Sequence, residues 1–347
     1  MKWSRELRTA NRSARTALRA ASAILTAQVR SSSAMANVMK SHRHPELRRV
    51  PADREEFEGL QSFGSNPGDL RMLVHVPRRD SGGAAPLVVV LHGCGQGAED
   101  FARASGWLDL SEQRGVVLLA PEQVGANNRG RCFRWFEPRQ VARDDGEALS
   151  IRQMVAAASG AYAIDPQRVF VVGLSAGGAM AAAMLATYPD VFSGGAVVAG
   201  LPFGSAAGAG QGLIRMAQPG PDLSPLEWAG KVRAAAPPGF QGPWPRVSIW
   251  HGDRDTIVDP GNADLLAMQW SAVHGLARAP DRDVAGKNFR RRSWTKDGVA
   301  LVEQVLIDDM GHGYPIGPSQ GTPAQYVLDV GVRSAGAIAD FWGIGTR

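Results

Sequence analysis

The pentapeptide Gly173-Leu174-Ser175-Ala176-Gly177 stands directly after the β-branched run Arg168-Val169-Phe170-Val171-Val172 and directly before an Ala- and Met-rich stretch. A strand that turns at once into a helix through this string reads as a nucleophile elbow. The turn is strained, lifts the serine hydroxyl out of the sheet, and tolerates only small residues two positions to either side. Gly173 and Gly177 meet that demand. A Gly-x-Ser-x-Gly string arises by chance roughly 0.3 times in a chain of this length and composition, so the assignment has to rest on what flanks and follows it.

A serine of this kind needs an acid and then a histidine further along the chain, each in a loop after a later strand of the same sheet. The strand-like Arg246-Val247-Ser248-Ile249-Trp250 runs into His251-Gly252-Asp253-Arg254-Asp255-Thr256-Ile257-Val258, with Asp259 as a third acid candidate. Asp255 is preferred. It lies past the tight turn that Gly252 allows, whereas Asp253 is close enough to the strand end to cap or close the turn. His312 follows the strand-like segment 302–307 and sits between Gly311 and Gly313, whose freedom suits a catalytic loop. His42, His44 and His75 precede the central sheet, His274 falls on a helix, and His92 and His251 end strands, where a histidine usually satisfies local backbone groups.

The developing oxyanion needs two backbone N–H donors, one from the residue after the nucleophile and one from the loop after an earlier strand. Ala176 supplies the first. The second is expected from His92-Gly93-Cys94-Gly95-Gln96, after the apolar run 86–91, with Cys94 as the preferred donor and Gly95 as the alternative.

Strand-like runs at 73–76, 87–91, 116–119, 169–172, 196–199, 247–250 and 302–307 alternate with helical stretches, the rhythm of an α/β fold with a mostly parallel sheet. Runs such as 87–91 are apolar without alternation, as expected where helices cover both faces. Asp144-Asp145-Gly146-Glu147 opens a long helix in a capping-box pattern, so Asp144 and Glu147 are read as caps. The Ala/Met helix over 178–188 can pack closely behind the elbow. Between about 201 and 245 periodicity gives way to Gly/Ala/Pro-rich sequence with one short helical candidate at 225–235, an insertion placed where a cap or pocket wall belongs. Trp228 and Trp244 are candidates to line it, with ordinary packing as the competing reading.

The net charge of +5 conceals a division: residues 1–50 carry eleven Lys/Arg against Glu6 and Glu46, a segment charge of +9, which leaves −4 elsewhere. A mildly acidic core without a basic stripe argues against nucleic-acid binding. Within the basic segment, read as an extension over 1–55 that is helical or disordered, Leu7, Ala10, Ala14, Leu18, Ala21, Leu25 and Val29 recur at helical spacing. It could contact an anionic surface. As a secretion signal it fits poorly, because its longest apolar stretch is interrupted and arginines precede it throughout. No run reaches membrane-spanning length. Residues 56–347, 44% hydrophobic over the whole chain, are expected to form one catalytic domain.

Taken together, Leu91-His92-Gly93-Cys94-Gly95-Gln96, Cys132-Phe133-Arg134-Trp135-Phe136, Gly173-Leu174-Ser175-Ala176-Gly177 and Gly311-His312-Gly313 resemble the poly(3-hydroxybutyrate) depolymerase-like esterases, a family that also includes feruloyl and acetylxylan esterases. The resemblance runs from about residue 57 onward. It implies an α/β-hydrolase fold and a serine esterase with Ser175 as nucleophile, Asp255 as acid, His312 as base and Cys94 at the oxyanion loop, acting without metal or cofactor on an ester substrate such as a hydroxyalkanoate oligomer. It marks Trp135 and Phe136 as substrate-facing, although Phe133-Arg134 stand where the family commonly has Trp-Asn. The two cysteines have no metal-ligand spacing, and the resemblance favours a Cys94–Cys132 disulfide. It also implies an extracellular or periplasmic setting, against which the poor secretion signal keeps a cytoplasmic one open.

Two other readings fit parts of the sequence. Gly93-Cys94-Gly95-Gln96-Gly97-Ala98, after a strand and with Glu122 ending the next, matches a dinucleotide-binding fingerprint, yet it explains none of Ser175, Asp255 or His312. The loop 251–258 also looks like that of prolyl-oligopeptidase-type serine peptidases. A non-catalytic binding protein on the same fold is disfavoured because all three triad positions hold competent residues.

Overall fold

The computed structural model describes residues 57–60, 62–78 and 83–345. The basic extension over 1–55 and its amphipathic pattern lie outside the described residues. The chain runs β1 Glu58–Leu60, β2 Arg71–His75, β3 Ala85–Leu91, α1 Ala98–Ala104, α2 Trp107–Arg114, β4 Val117–Glu122, α3 Gly146–Ala161, β5 Ile164–Leu174, α4 Ala176–Thr187, β6 Gly194–Val198, α5 Ala209–Ala217, α6 Pro225–Ala235, β7 Arg246–Gly252, α7 Gly261–Val273, β8 Arg282–Ala285, β9 Phe289–Lys296, β10 Val299–Ile307, β11 Tyr314–Ile316, β12 Val327–Asp329 and α8 Ser334–Trp342.

One ten-stranded sheet has the order β1-β2-β4-β3-β5-β6-β7-β10-β9-β8. The six strands from β4 to β10 in that order pair in parallel, while β1-β2-β4 at one end and β10-β9-β8 at the other pair antiparallel. Every residue of β3 is buried, because successive side chains point to opposite faces and both are covered. Leu87, Val89 and Leu91 pack with α3, α4 and α7 on one face. Val88 and Val90 pack with α1, α2 and α8 on the other. β11 and β12 form a separate parallel pair. No helix among the described residues is long and apolar enough to cross a membrane.

The α/β-hydrolase expectation holds, and every strand-like run of the sequence falls on a strand. Two local readings need correction. The helix over 146–161 is capped by Asp145, whose side chain accepts from the Gly146 N–H at 2.8 Å, and Asp144 takes a left-handed φ of 61° instead of a capping position. Glu147, read as the reciprocal cap, is fully buried and turned toward Arg134 and Gln123. The insertion also holds two helices rather than one. The additional one, α5, escapes sequence patterning because Gly208, Gly210 and Gly212 lower helix propensity. Tertiary contacts hold it instead: a Cβ on Gly212 would press on Phe136, the Asp259 N–H donates to Met216 O at 2.7 Å, and Asn262 Nδ2 donates to Arg215 O at 3.1 Å.

Candidate active site

At the end of β5 the chain turns at Ser175 with φ 57° and ψ −117° and enters α4 at Ala176. Few L-residues adopt this conformation, and the surroundings enforce it. A Cβ on Gly173 would run into the Gly177 carbonyl, and one on Gly177 would run into the carbonyls of Leu91 and His92. The Ser175 N–H donates to Val198 O on the neighbouring strand at 2.8 Å. All of α4 is buried, which explains its Ala/Gly/Met composition: only small or adaptable side chains let a helix lie this close to the sheet.

The acid and histidine loops are stitched together by backbone. Asp253 N–H donates to Ile307 O and Arg254 N–H to Met310 O, both at 3.0 Å, and a Cβ on Gly252 would collide with the carbonyls of Met310 and Gly311. Gly252 is thus needed for close approach of two loops. Gly313 is similarly confined, against Leu328 and the Tyr326 carbonyl, whereas Gly311 has open space. This brings Asp255 Oδ2 to 2.7 Å from His312 Nδ1.

Asp255 Oδ1 accepts from the N–H groups of Ile257 and Val258, each at 2.9 Å, and the residue is buried. Burial pushes its pKa up, but hydrogen bonds from His251, His312 and Val258 outweigh it and hold the carboxyl well below the usual carboxylate range. Asp253 is exposed and Asp259 is occupied by the Gly261 N–H at 2.8 Å, so of the three acid candidates it is Asp255 that meets His312.

The loop after β3 separates the oxyanion candidates as well. Gly93 N–H donates to Gln96 Oε1 at 2.8 Å, Gly95 N–H to Gly130 O at 2.9 Å and Gln96 N–H to Gly93 O at 3.3 Å. The alternative donor, Gly95, is therefore engaged elsewhere. Cys94 and Ala176 N–H have no acceptor among the described residues. His92 accepts from the Gln123 N–H at Nε2 (3.0 Å), so its proton is on Nδ1, which donates to Gly93 O at 2.7 Å. That carbonyl belongs to the same peptide unit as the Cys94 N–H. Burial lowers the His92 pKa and favours the neutral ring this tautomer requires.

Glu147 anchors the far side of the loop, accepting from the backbone N–H and Nε of Arg134 (2.8 and 2.9 Å) and from Gln123 Nε2 (2.7 Å). Sequence reasoning missed this role, since its partners are distant in the chain. Cys94 and Cys132 are joined by a disulfide that closes a 38-residue separation, tying the oxyanion loop to the aromatic segment. Cys132→Ala is expected to cost about 3–4 kcal/mol of stability from lost loop closure and to lower kcat/KM as Cys94 loosens, readable by denaturant titration and initial rates.

Of the aromatic candidates, Trp135 packs against Ala179, Leu201 and Val258, beside both the nucleophile helix and the acid loop, and Phe136 meets it edge to face at 5.6 Å. Trp228 is a correction. It is completely buried on α6, its carbonyl bonded by Gln269, and cannot meet a substrate. Half-buried Trp244 packs against Phe240. The dinucleotide reading fails on Glu122, whose carboxylate takes the Ala98 N–H at 3.2 Å and Arg71 at 2.6 Å, filling the helix end where a pyrophosphate would sit. No cluster of three or more His, Cys, Asp or Glu able to hold a metal stands among the described residues.

The sequence model of the family described as esterase PHB depolymerase matches residues 71–295. The chain belongs to this family. Poly(3-hydroxyalkanoate) depolymerase C of Paucimonas lemoignei is 42% identical to this esterase over 291 residues, 82% of this chain and 69% of that protein. The acetylxylan esterase of Coprinopsis cinerea is 35% identical over 278 residues, 78% and 72% of the two chains. The solved acetyl xylan esterase from Aspergillus awamori superposes with a TM-score of 0.72 at 24% identity, covering 84% of this chain and all of that one. That likeness bears on the fold alone. The esterase is a hydrolase of carboxylic ester bonds on an α/β-hydrolase fold.

Proposed function

We propose that this esterase cleaves its substrate through Ser175, His312 and Asp255 by way of an acyl-enzyme, and that the substrate is a poly(3-hydroxyalkanoate) or its oligomers. The observation that carries the catalytic part is the 2.7 Å contact between His312 Nδ1 and Asp255 Oδ2, formed by loops from the same sheet whose elbow presents Ser175. The carboxylate fixes the proton on Nδ1, leaving Nε2 as the base. His312 takes the Ser175 proton as its oxygen attacks the ester carbonyl, and the Cys94 and Ala176 amides stabilise the oxyanion. The imidazolium then protonates the departing alcohol. Water activated by the same ring cleaves the acyl-enzyme and frees Ser175.

The substrate part is supported by the 42% identical poly(3-hydroxyalkanoate) depolymerase and by the apolar wall of Trp135, Leu201 and Val258 beside the nucleophile helix. The disulfide supports an extracellular or periplasmic setting, since such bridges persist where the environment is oxidising. A panel of hydroxybutyrate oligomers, methyl ferulate and acetylated xylan, with polymer-film clearing, tests the assignment. The expected result is a kcat/KM for the oligomers at least about tenfold above the others, the discrimination an apolar pocket can supply. A preference for ferulate or acetylxylan overturns it in favour of the other branches, and cleavage of a proline-containing peptide instead of any ester favours the peptidase reading.

A further inference from the structure

The acid of the site has a second imidazole on it. His251, the penultimate residue of β7 before the acid loop, has its side chain fully buried and its Nε2 3.1 Å from Asp255 Oδ2, the same oxygen that meets His312. Its Nε2 also lies 2.9 Å from Val258 O. Both neighbours are acceptors, so the proton is on Nε2, hydrogen-bonded to Val258 O with the carboxylate oxygen close beside it. The other nitrogen, Nδ1, is buried without a partner among the described residues. A buried histidine with one nitrogen unsatisfied and the other 3.1 Å from a carboxylate as well as bonded to a carbonyl is not explained by local backbone bonding alone.

We propose that His251 is a positioning residue for the reaction, a donor that locks the Asp255 carboxylate in the plane of His312 and draws off part of its charge. This rests on the triad reading above. With Oδ1 held by two backbone N–H groups and Oδ2 bonded to His312 and 3.1 Å from His251, the carboxylate is confined from both sides. The other charged groups of these loops are turned away: Asp253 is exposed, Arg254 pairs with Asp309 at 3.5 Å on the surface, Asp308 is exposed, and Asp259 bonds Gly261. Tyr326 meets the His312 ring edge to face at 5.6 Å. The two imidazoles and the carboxylate thus form one coupled group.

The sign of the effect follows from hydrogen bonding. A carboxylate that loses a donor holds the imidazolium form of its remaining partner more strongly. Activity requires that partner neutral, so the acid limb of the kcat/KM–pH profile moves to higher pH. For His251→Leu the expected shift is about one pH unit, with kcat about tenfold lower from lost orientation. His251→Gln places an amide N–H at similar reach and is expected to restore the limb to its original position and most of kcat. A residue that only filled space would change stability, not the limb, and Gln would rescue no better than Leu. That pattern overturns the proposal. If the Leu variant does not fold, His251→Asn, polar but too short to reach Oδ2, takes its place with the same expected shift. Rates are measured on p-nitrophenyl butyrate and normalised to sites labelled by a fluorophosphonate. His312→Ala, run alongside, separates the two claims: if it keeps its activity, the triad reading fails. If it is inactive while the His251 variants leave the limb unmoved, only the role of His251 fails.

Discussion

Ser175→Ala is expected to lower kcat by about three to six orders of magnitude with KM and the thermal midpoint nearly unchanged. The substitution is unusually clean at this position. The φ of 57° is imposed by the elbow on any L-residue, so alanine is no more strained there than serine, and the Ser175 side chain makes no capping bond to α4 whose loss would fray the helix. What disappears is the hydroxyl alone. The Cys94 and Ala176 amides and the apolar wall stay in place, so residual turnover above the uncatalysed rate is expected from binding and oxyanion stabilisation. Rates on p-nitrophenyl butyrate, together with intact-mass detection of the acyl adduct in the parent and its absence in the variant, check it. An unchanged rate rejects Ser175 as the nucleophile.

How much of this was legible in the sequence depends on whether the signal was local. The elbow is local: a β-branched run, two glycines two positions from a serine, and a helix of small residues are each demanded by sterics within a few residues. The central strands are equally plain, because burial on both faces turns them into continuous apolar runs. The edges are not. All four residues of β8 are exposed, and β9 is crowded with Arg290, Arg291 and Arg292, which carry charge on both sides and leave no alternation to read. Their side chains are engaged by Asp283, Glu303 and Asp264, contacts that only the folded sheet creates. Within the site the same rule holds. Asp255 was separable from Asp253 by its distance from the strand end, but what distinguishes Cys94 from Gly95 is the Gly95 N–H bond to Gly130, thirty-five residues further on. Glu147 reads as a cap because it stands three residues after Asp144, the capping-box spacing, while the Arg134 that it pairs with is thirteen residues away. His251 offered a signal that could have been used, a strand-end histidine four residues before the acid, although nothing in the sequence told which nitrogen would reach it.

Asp255→Asn is expected to cut kcat by about four orders of magnitude, more than the loss of a single charge suggests, because both oxygens of this carboxylate face donors. The pKa of Asp255 is held well below the ordinary range, so under any neutral assay the group is fully ionised; it accepts three hydrogen bonds and lies 3.1 Å from His251 Nε2. An amide cannot do this. If its oxygen keeps the N–H groups of Ile257 and Val258, its NH2 faces the imidazoles of His312 and His251; if it flips, its NH2 faces the two backbone amides instead. The first arrangement is relieved most cheaply by moving the His312 proton from Nδ1 to Nε2, which lets Nδ1 accept from the amide. The nitrogen needed to receive the Ser175 proton is then itself a donor, and general-base catalysis stops while the shape of the site persists. Asp253→Asn, at an exposed position one strand end away, is expected to stay within a few-fold of the parent, within the roughly ±0.5 kcal/mol typical of surface changes. Comparable losses in the two variants would reject Asp255 as the acid. A large loss confined to Asp255→Asn, with fluorophosphonate labelling slowed in proportion and the thermal midpoint little changed, separates a wrong tautomer from a broken fold.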